Sequence, residues 1–445
     1  MQTKRQTLIV YTTAVCNLNC SYCYIDKNPA LVQIDELLDK SFQGDYYFEF
    51  AKKMFPDKED LIEMQIWGGE PTIRLDRCFY TMRKVIEYFP NFKNIMFSTN
   101  FTTPNWYEQV GGLVSLLGEH PEREFQISIQ LSIDGPEHIN DLGRGKGVTK
   151  KFIEHWRELP PFIKTLPKNV KIRTFFKPTL SIETLPLVQT KESVIKYYQF
   201  FERFKRSIEF YENENFHFEL SIPNTACPSP HTKQDGKLMA NFCRITRQLE
   251  KENPTEHYFD YYEIITPFIP RYQYDHGCAN LTDSCHACGM GVFSIGLLPN
   301  NKVSLCHNGF VDLISEYKKR CMDDESLVKH SIDKELFDRN LIVRDTNCSL
   351  EEFETFEKML KCYYDDNSTF QLANLVNTIQ ALALTDMIDK KYMEEPAAIE
   401  AAHYIQAATS YCIRDNLGSS GSMLGQHIGL IKLLLNGAKE EIENV

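Results

Sequence analysis

An α/β fold built on a parallel sheet is what the sequence predicts, on two observations. Six β-rich runs, TLIVYTT, IEMQIW, NIMFST, FQISIQLS, VKIRTFF and FHFELSI, are spread over residues 6–225. Between them, segments such as DYYFEFAKKMF and ESVIKYYQFFERFKRSIEF repeat their apolar residues at helical spacing. When strand and helix alternate, each strand returns parallel to its predecessor. Six such repeats are expected to form an open doubly wound sheet or a barrel, and both place their chemistry in loops beyond the carboxyl ends of strands.

Taken in order, the runs end in chemically distinctive loops. The first leads directly into TTAVCNLNCSYCY, which carries Cys16, Cys20 and Cys23 in the spacing C-x3-C-x2-C. Asn17, Asn19 and Ser21 make that loop polar, which argues against three core cysteines. The second run ends in Gly68, Gly69, Glu70 and Pro71, and the third in Ser98, Thr99 and Asn100. The fourth ends in Ser132, Ile133, Asp134, Gly135 and Pro136, with Arg144 a little further on.

Residues 226–284 are irregular and rich in Pro, His and Asp, as in a bridging region. Residues 285–367 hold a second cysteine group, and 368–445 read as three amphipathic helices, the last two separated by GSSGS. The apolar stripes of that tail suit a packed core or a docking face.

Composition narrows the function classes. At 445 residues and 42% apolar content, the chain has ample material for two or three globular domains. Its formal charge of −12 argues against nucleic acid as partner. No apolar run is long enough to cross a bilayer, and Met1 is followed by the polar QTKRQ, so no membrane association and a cytoplasmic location are the expectations. In a reducing compartment, clustered thiols among the fourteen cysteines are expected to bind metal rather than pair as disulfides.

Three thiolates, unlike four, leave one coordination position open. A structural zinc site completed by a distant cysteine is the alternative that spacing alone leaves standing.

The C-x3-C-x2-C loop with an aromatic at Tyr22 resembles the signature of radical S-adenosylmethionine enzymes. The resemblance covers roughly residues 8–225, since three further segments match in order: Gly68 to Pro71 the family's GGEP, Ser98 to Asn100 its S/T-N pair, and Ser132 to Pro136 its S-x-D-G-P loop. Phe101 departs from the pattern, standing where the family has glycine.

The resemblance implies a partial (β/α)6 barrel over 6–225. It also implies a [4Fe–4S] cluster on Cys16, Cys20 and Cys23, whose fourth iron is chelated by S-adenosylmethionine. Tyr22, Gly68, Gly69, Glu70, Pro71, Ser98, Asn100, Ser132, Asp134 and Arg144 are then the cofactor-binding residues, Arg144 being placed to meet a carboxylate.

The stretch from Cys288 to Cys306 resembles the SPASM or twitch extension of many such enzymes, with Asn301 at the usual glycine. It implies one auxiliary [4Fe–4S] cluster in 285–367, with Cys285, Cys288 and Cys306 as ligands and Cys278 or Cys362 as candidates for the fourth. Cys321, Cys348 and Cys362 are too isolated for a second cluster, and His286 and His307 are expected to hydrogen-bond cluster sulfur or to face solvent. A zinc site on the Cys285–Cys288 pair is the alternative.

By the same resemblance the activity is reductive cleavage of S-adenosylmethionine to a 5′-deoxyadenosyl radical, which takes hydrogen from a precursor peptide or protein. An external one-electron reductant, and a separate leader-recognition protein unless the helical tail binds the leader, complete the implied partners. Cross-linking, epimerisation and excision all fit, and Cys227 is a candidate hydrogen donor for epimerisation. A small-molecule dehydrogenase or mutase, and a non-catalytic iron–sulfur carrier or scaffold, are the competing readings. Cys78, Cys243 and Cys412 lie in helical patterns and read as packing residues.

Overall fold

The computed structural model describes residues 6–208, apart from 24, 26–29 and 182, and beyond them shorter stretches within 211–252, 294–304, 310 and 347–349. Cys227, Cys243, Cys278, Cys285, Cys288, Cys306, Cys321, Cys362 and Cys412 lie outside the described residues, as do His286, Asn301, His307 and the segment 368–445.

All six predicted strands form. They are β1 (Thr7–Thr13), β2 (Glu63–Gly68), β3 (Asn94–Thr99), β4 (Phe125–Leu131), β5 (Val170–Phe176) and, after the two-residue β6 (Thr179–Leu180), β7 (Phe216–Leu220). The helices between them are α1 (Ala30–Phe42), α2 (Tyr46–Met54), α3 (Phe79–Tyr88), α4 (Trp106–Gly118), α5 (Glu137–Arg144), α6 (Val148–Ile163) and α7 (Lys191–Ile208). The six strands pair in parallel in the order β1-β2-β3-β4-β5-β7. That order never reverses, so the doubly wound alternative, which turns back at a switch point, does not hold.

Residues alternate strictly between the faces of the inner strands. Met64, Ile66, Ile95, Phe97, Ile127, Ile129 and Ile172 are buried in one large apolar cluster with residues from α2 to α7. The opposite face carries Gln65, Met96, Ser98, Gln126, Ser128 and Gln130, each only half-buried. A sheet with helices on both faces would read as continuous apolar runs; these strands instead have one apolar and one largely polar face. At β1 the second face is apolar too, because Ile9 and Tyr11 pack with Leu31, Ile34 and Leu38 of α1 and with Leu298 and Phe310.

Three later strands extend the sheet beyond β1. After β8 (Asn224–Thr225), which pairs with β6, come β9 (Ser294–Leu297), β10 (Lys302–Ser304) and β11 (Asn347–Ser349). β9 runs parallel to β1, and β10 and β11 follow antiparallel. Gly296 makes the seam possible, since a Cβ there would lie 2.9 Å from Ile9 Cβ and 2.9 Å from the Ile9 carbonyl oxygen. Tyr11 and Ser304 hydroxyls meet across it at 3.0 Å. Among the described residues no helix is long and apolar enough to cross a membrane.

Candidate functional site

The four motif segments emerge at the carboxyl ends of β1 to β4, which are neighbours in the sheet, and hydrogen bonds join each to the next. The Gly69 N–H donates to the Thr13 carbonyl and the Glu70 N–H to the Val15 carbonyl, both at 2.9 Å. The approach is too close for side chains: a Cβ on Gly68 would lie 2.3 Å from Thr13 O, and one on Gly69 2.4 Å from Val15 O. These glycines therefore bring the end of β2 against the backbone of the cysteine loop, and Gly68, at φ +148°, also adopts a conformation disfavoured for L side chains.

Glu70 is buried and spans to the third strand. Its carboxylate accepts the Asn100 N–H at 2.6 Å, the Thr72 N–H at 3.1 Å and the Thr72 hydroxyl at 2.6 Å. Burial pushes this carboxyl up, against the pull of those donors. Pro71 begins the following 3-10 turn, and its carbonyl lies within reach of the Thr12 hydroxyl. The third and fourth strands are tied by Ser98 and Ser132, whose hydroxyls sit 3.2 Å apart, and by the Ser132 N–H on the Thr99 carbonyl at 2.8 Å.

The fourth segment closes back on the first. The Tyr22 hydroxyl donates to Asp134 Oδ2, and Arg144 Nη2 to Asp134 Oδ1 at 2.7 Å, where the Thr179 N–H also arrives at 2.9 Å. The Ser21 N–H donates to the Gly143 carbonyl at 2.8 Å. Arg144 lies over the Tyr22 ring at 5.5 Å, and all three side chains are buried. Burial opposes the charge on Arg144, but Asp134, with Tyr22 and Cys20, outweighs it and holds the guanidinium firmly protonated. Burial drives the Tyr22 phenol well above its ordinary range; Arg144 pulls it down and Asp134 adds to the rise. The carboxylate that Arg144 meets here is that of Asp134.

Cys16, Cys20 and Cys23 are half-buried on the loop these contacts hold. The Leu18 N–H points at Cys16 Sγ at 3.4 Å and Asn100 Nδ2 at 3.7 Å, while Cys20 is an electrostatic neighbour of Arg144. Three thiols on one loop, with N–H donors aimed at sulfur and a guanidinium nearby, suit anionic sulfur ligands of an iron–sulfur group. Among the described residues no three His, Cys, Asp or Glu side chains are gathered tightly enough to hold a single metal ion.

A half-buried ion pair beside the loop has no counterpart in the sequence reading. Asp35 of α1 accepts both terminal nitrogens of Arg77 at 3.0 Å, together with the Thr13 hydroxyl at 2.5 Å and the Ala14 N–H at 3.0 Å. Arg77 also donates to the Thr12 carbonyl at 2.9 Å and to Asp39 at 3.0 Å. The available signal was the Asp35 and Asp39 pair, one helical turn apart on α1; nothing local pointed to Arg77 as their partner.

Phe101 has φ +57°, the left-handed conformation that glycine adopts readily. Its ring is fully buried, edge-on to Trp106 at 4.5 Å and to Phe152 at 5.1 Å. The backbone shape served by glycine is thus kept, and aromatic packing offsets its strain.

In the order and strand positions of these segments, the chain resembles radical S-adenosylmethionine enzymes. No family model matches it, and neither does any curated protein. Among solved structures it is similar to native anSMEcpe with bound AdoMet, at 16% identity over 68% of this chain and 74% of that one, with a TM-score of 0.41. The same protein with AdoMet and the Kp18Cys peptide gives 16% identity over 67% and 74%, with a TM-score of 0.39. SuiB of Streptococcus suis bound to S-adenosylmethionine gives 16% over 68% of this chain and 58% of that one, with a TM-score of 0.36.

Proposed function

We propose that this chain is a radical S-adenosylmethionine enzyme that modifies a peptide or protein. The observation carrying this is the hydrogen-bonded convergence of four motif segments at one end of four adjacent parallel strands. Cys16, Cys20 and Cys23 would hold a [4Fe–4S] cluster, and the edge formed by Gly68 to Pro71, Ser98, Asn100 and Ser132 would face S-adenosylmethionine. When bound, that pair supplies one-electron cleavage of S-adenosylmethionine and a radical able to take a hydrogen atom from substrate.

The chain's own residues have separate tasks in this reading. Asp134, Tyr22 and Arg144 brace the cysteine loop against the fourth strand, and Glu70 braces the second strand against the third. The half-buried Gln65, Gln126, Ser128 and Gln130 line the sheet face that a partial (β/α)6 barrel would turn inward. Amide and hydroxyl groups there suit a substrate rich in hydrogen-bonding groups, as a peptide is. An auxiliary cluster on Cys285, Cys288 and Cys306, completed by Cys278 or Cys362, belongs to the same reading. So does Cys227 as donor of a hydrogen atom to a substrate radical.

The test is anaerobic reconstitution with iron and sulfide, then reduction in the presence of S-adenosylmethionine. Wild type is expected to form 5′-deoxyadenosine, and a Cys16→Ala, Cys20→Ala, Cys23→Ala variant none. An iron-loaded, folded wild type that forms none, even with candidate peptides present, would overturn the proposal. Mass change in a peptide rather than in a metabolite mixture assigns the substrate class.

A further inference from the structure

Three side chains around Cys16 form a closed ring of hydrogen bonds. Asn100 Nδ2 donates to Asn17 Oδ1 at 2.8 Å, Asn17 Nδ2 to Thr102 Oγ1 at 3.0 Å, and the Thr102 hydroxyl to Asn100 Oδ1 at 2.7 Å. The Thr102 backbone N–H, which can only donate, also binds Asn100 Oδ1, at 2.9 Å. That bond fixes which end of the Asn100 amide carries hydrogens. Nδ2 must then face the cysteine loop, where it lies 3.7 Å from Cys16 Sγ. Asn100 and Thr102 are buried, so water competes poorly for these groups.

From this ring we infer that Asn17 and Thr102 are positioning residues, which hold the Asn100 amide with its Nδ2 turned to the Cys16 sulfur. A donor aimed at sulfur stabilises the more negative state of whatever the sulfur ligates, so it raises the reduction potential of an iron–sulfur group held there. That last consequence rests on the proposed cluster; the ring itself does not.

The experiment compares wild type with Thr102→Val, which removes the hydroxyl at nearly constant shape, and Thr102→Ser, which retains it. In the metal-free protein at neutral pH, iodoacetamide labelling of Cys16, Cys20 and Cys23 is followed separately by peptide mass spectrometry. Thr102→Val is expected to alter the Cys16 rate alone, by roughly two- to threefold, because the amide beside its sulfur is no longer held in place. Cys20 and Cys23 should keep their rates, and Thr102→Ser should restore Cys16.

After reconstitution, the midpoint potential of Thr102→Val is expected below that of wild type. An unchanged Cys16 rate, or acceleration of all three thiols together as in a merely loosened loop, overturns the inference. Wild type that takes up no iron and sulfide would sink the radical-enzyme reading, while the labelling contrast still decides the ring.

Discussion

At the scale of single residues, Phe101 and Asp35 show how the site is supported from outside it. Phe101→Gly would relieve a left-handed strain of about 1–2 kcal/mol. It would also empty a ring site whose loss costs about 3–5 kcal/mol in a packed core. The net expectation is a loss of about 1–4 kcal/mol, read from urea unfolding. A stabilised variant would mean that the aromatic cluster does not offset the backbone.

Asp35 supplies the pH dependence. Burial alone would raise its carboxyl, but the bonds from Arg77, Thr13 and the Ala14 N–H prevail and hold it below the usual range. A depressed acid stabilises the fold above its unfolded pKa, about 4, and that contribution fades as pH falls through the folded value. Unfolding midpoints measured from pH 7 down to 3 should therefore fall less steeply in Asp35→Asn than in wild type. Parallel curves would dissociate the ion pair from acid stability.

At the scale of elements, the hydrophobic period did most of the predictive work. DYYFEFAKKMF became α2 and ESVIKYYQFFERFKRSIEF became α7, because their apolar residues face a sheet whose strands alternate on the same core. The loops were legible as motifs but not as contacts. Gly68 and Gly69 read by resemblance as cofactor-binding residues, and the structure adds that each is required by the backbone of Thr13 to Val15. Gly69→Ala is expected to force that loop away from β2, with a loss of about 1–3 kcal/mol as in other overpacked sites. It should also speed hydrogen exchange at the Glu70 N–H. Wild-type stability and exchange together would remove the glycine from this role.

At the scale of the whole molecule, the sheet is assembled from distant parts of the chain. β9 lies against β1 through Gly296 and Ile9, with Tyr11 bonded to Ser304 across the seam. Gly296→Val should lever this edge off, again at about 1–3 kcal/mol, and expose β1 amides to exchange while leaving β3 to β5 protected. Uniform protection in the variant would show that β9 docks by other contacts.

What the sequence by itself determined was the local part: six strands, the helices between them, and four chemically marked loops at strand ends. Periodicity and turn chemistry act over a few residues, so they can be read from a few residues. Only the tertiary structure decided the strand order, and with it the rejection of the doubly wound alternative. It also decided that Arg144 meets Asp134, that Arg77 clamps Asp35, and that Asn100 faces Cys16. Each of those pairings joins separate elements, and its partner is chosen by packing and desolvation at a junction that no short stretch of sequence contains.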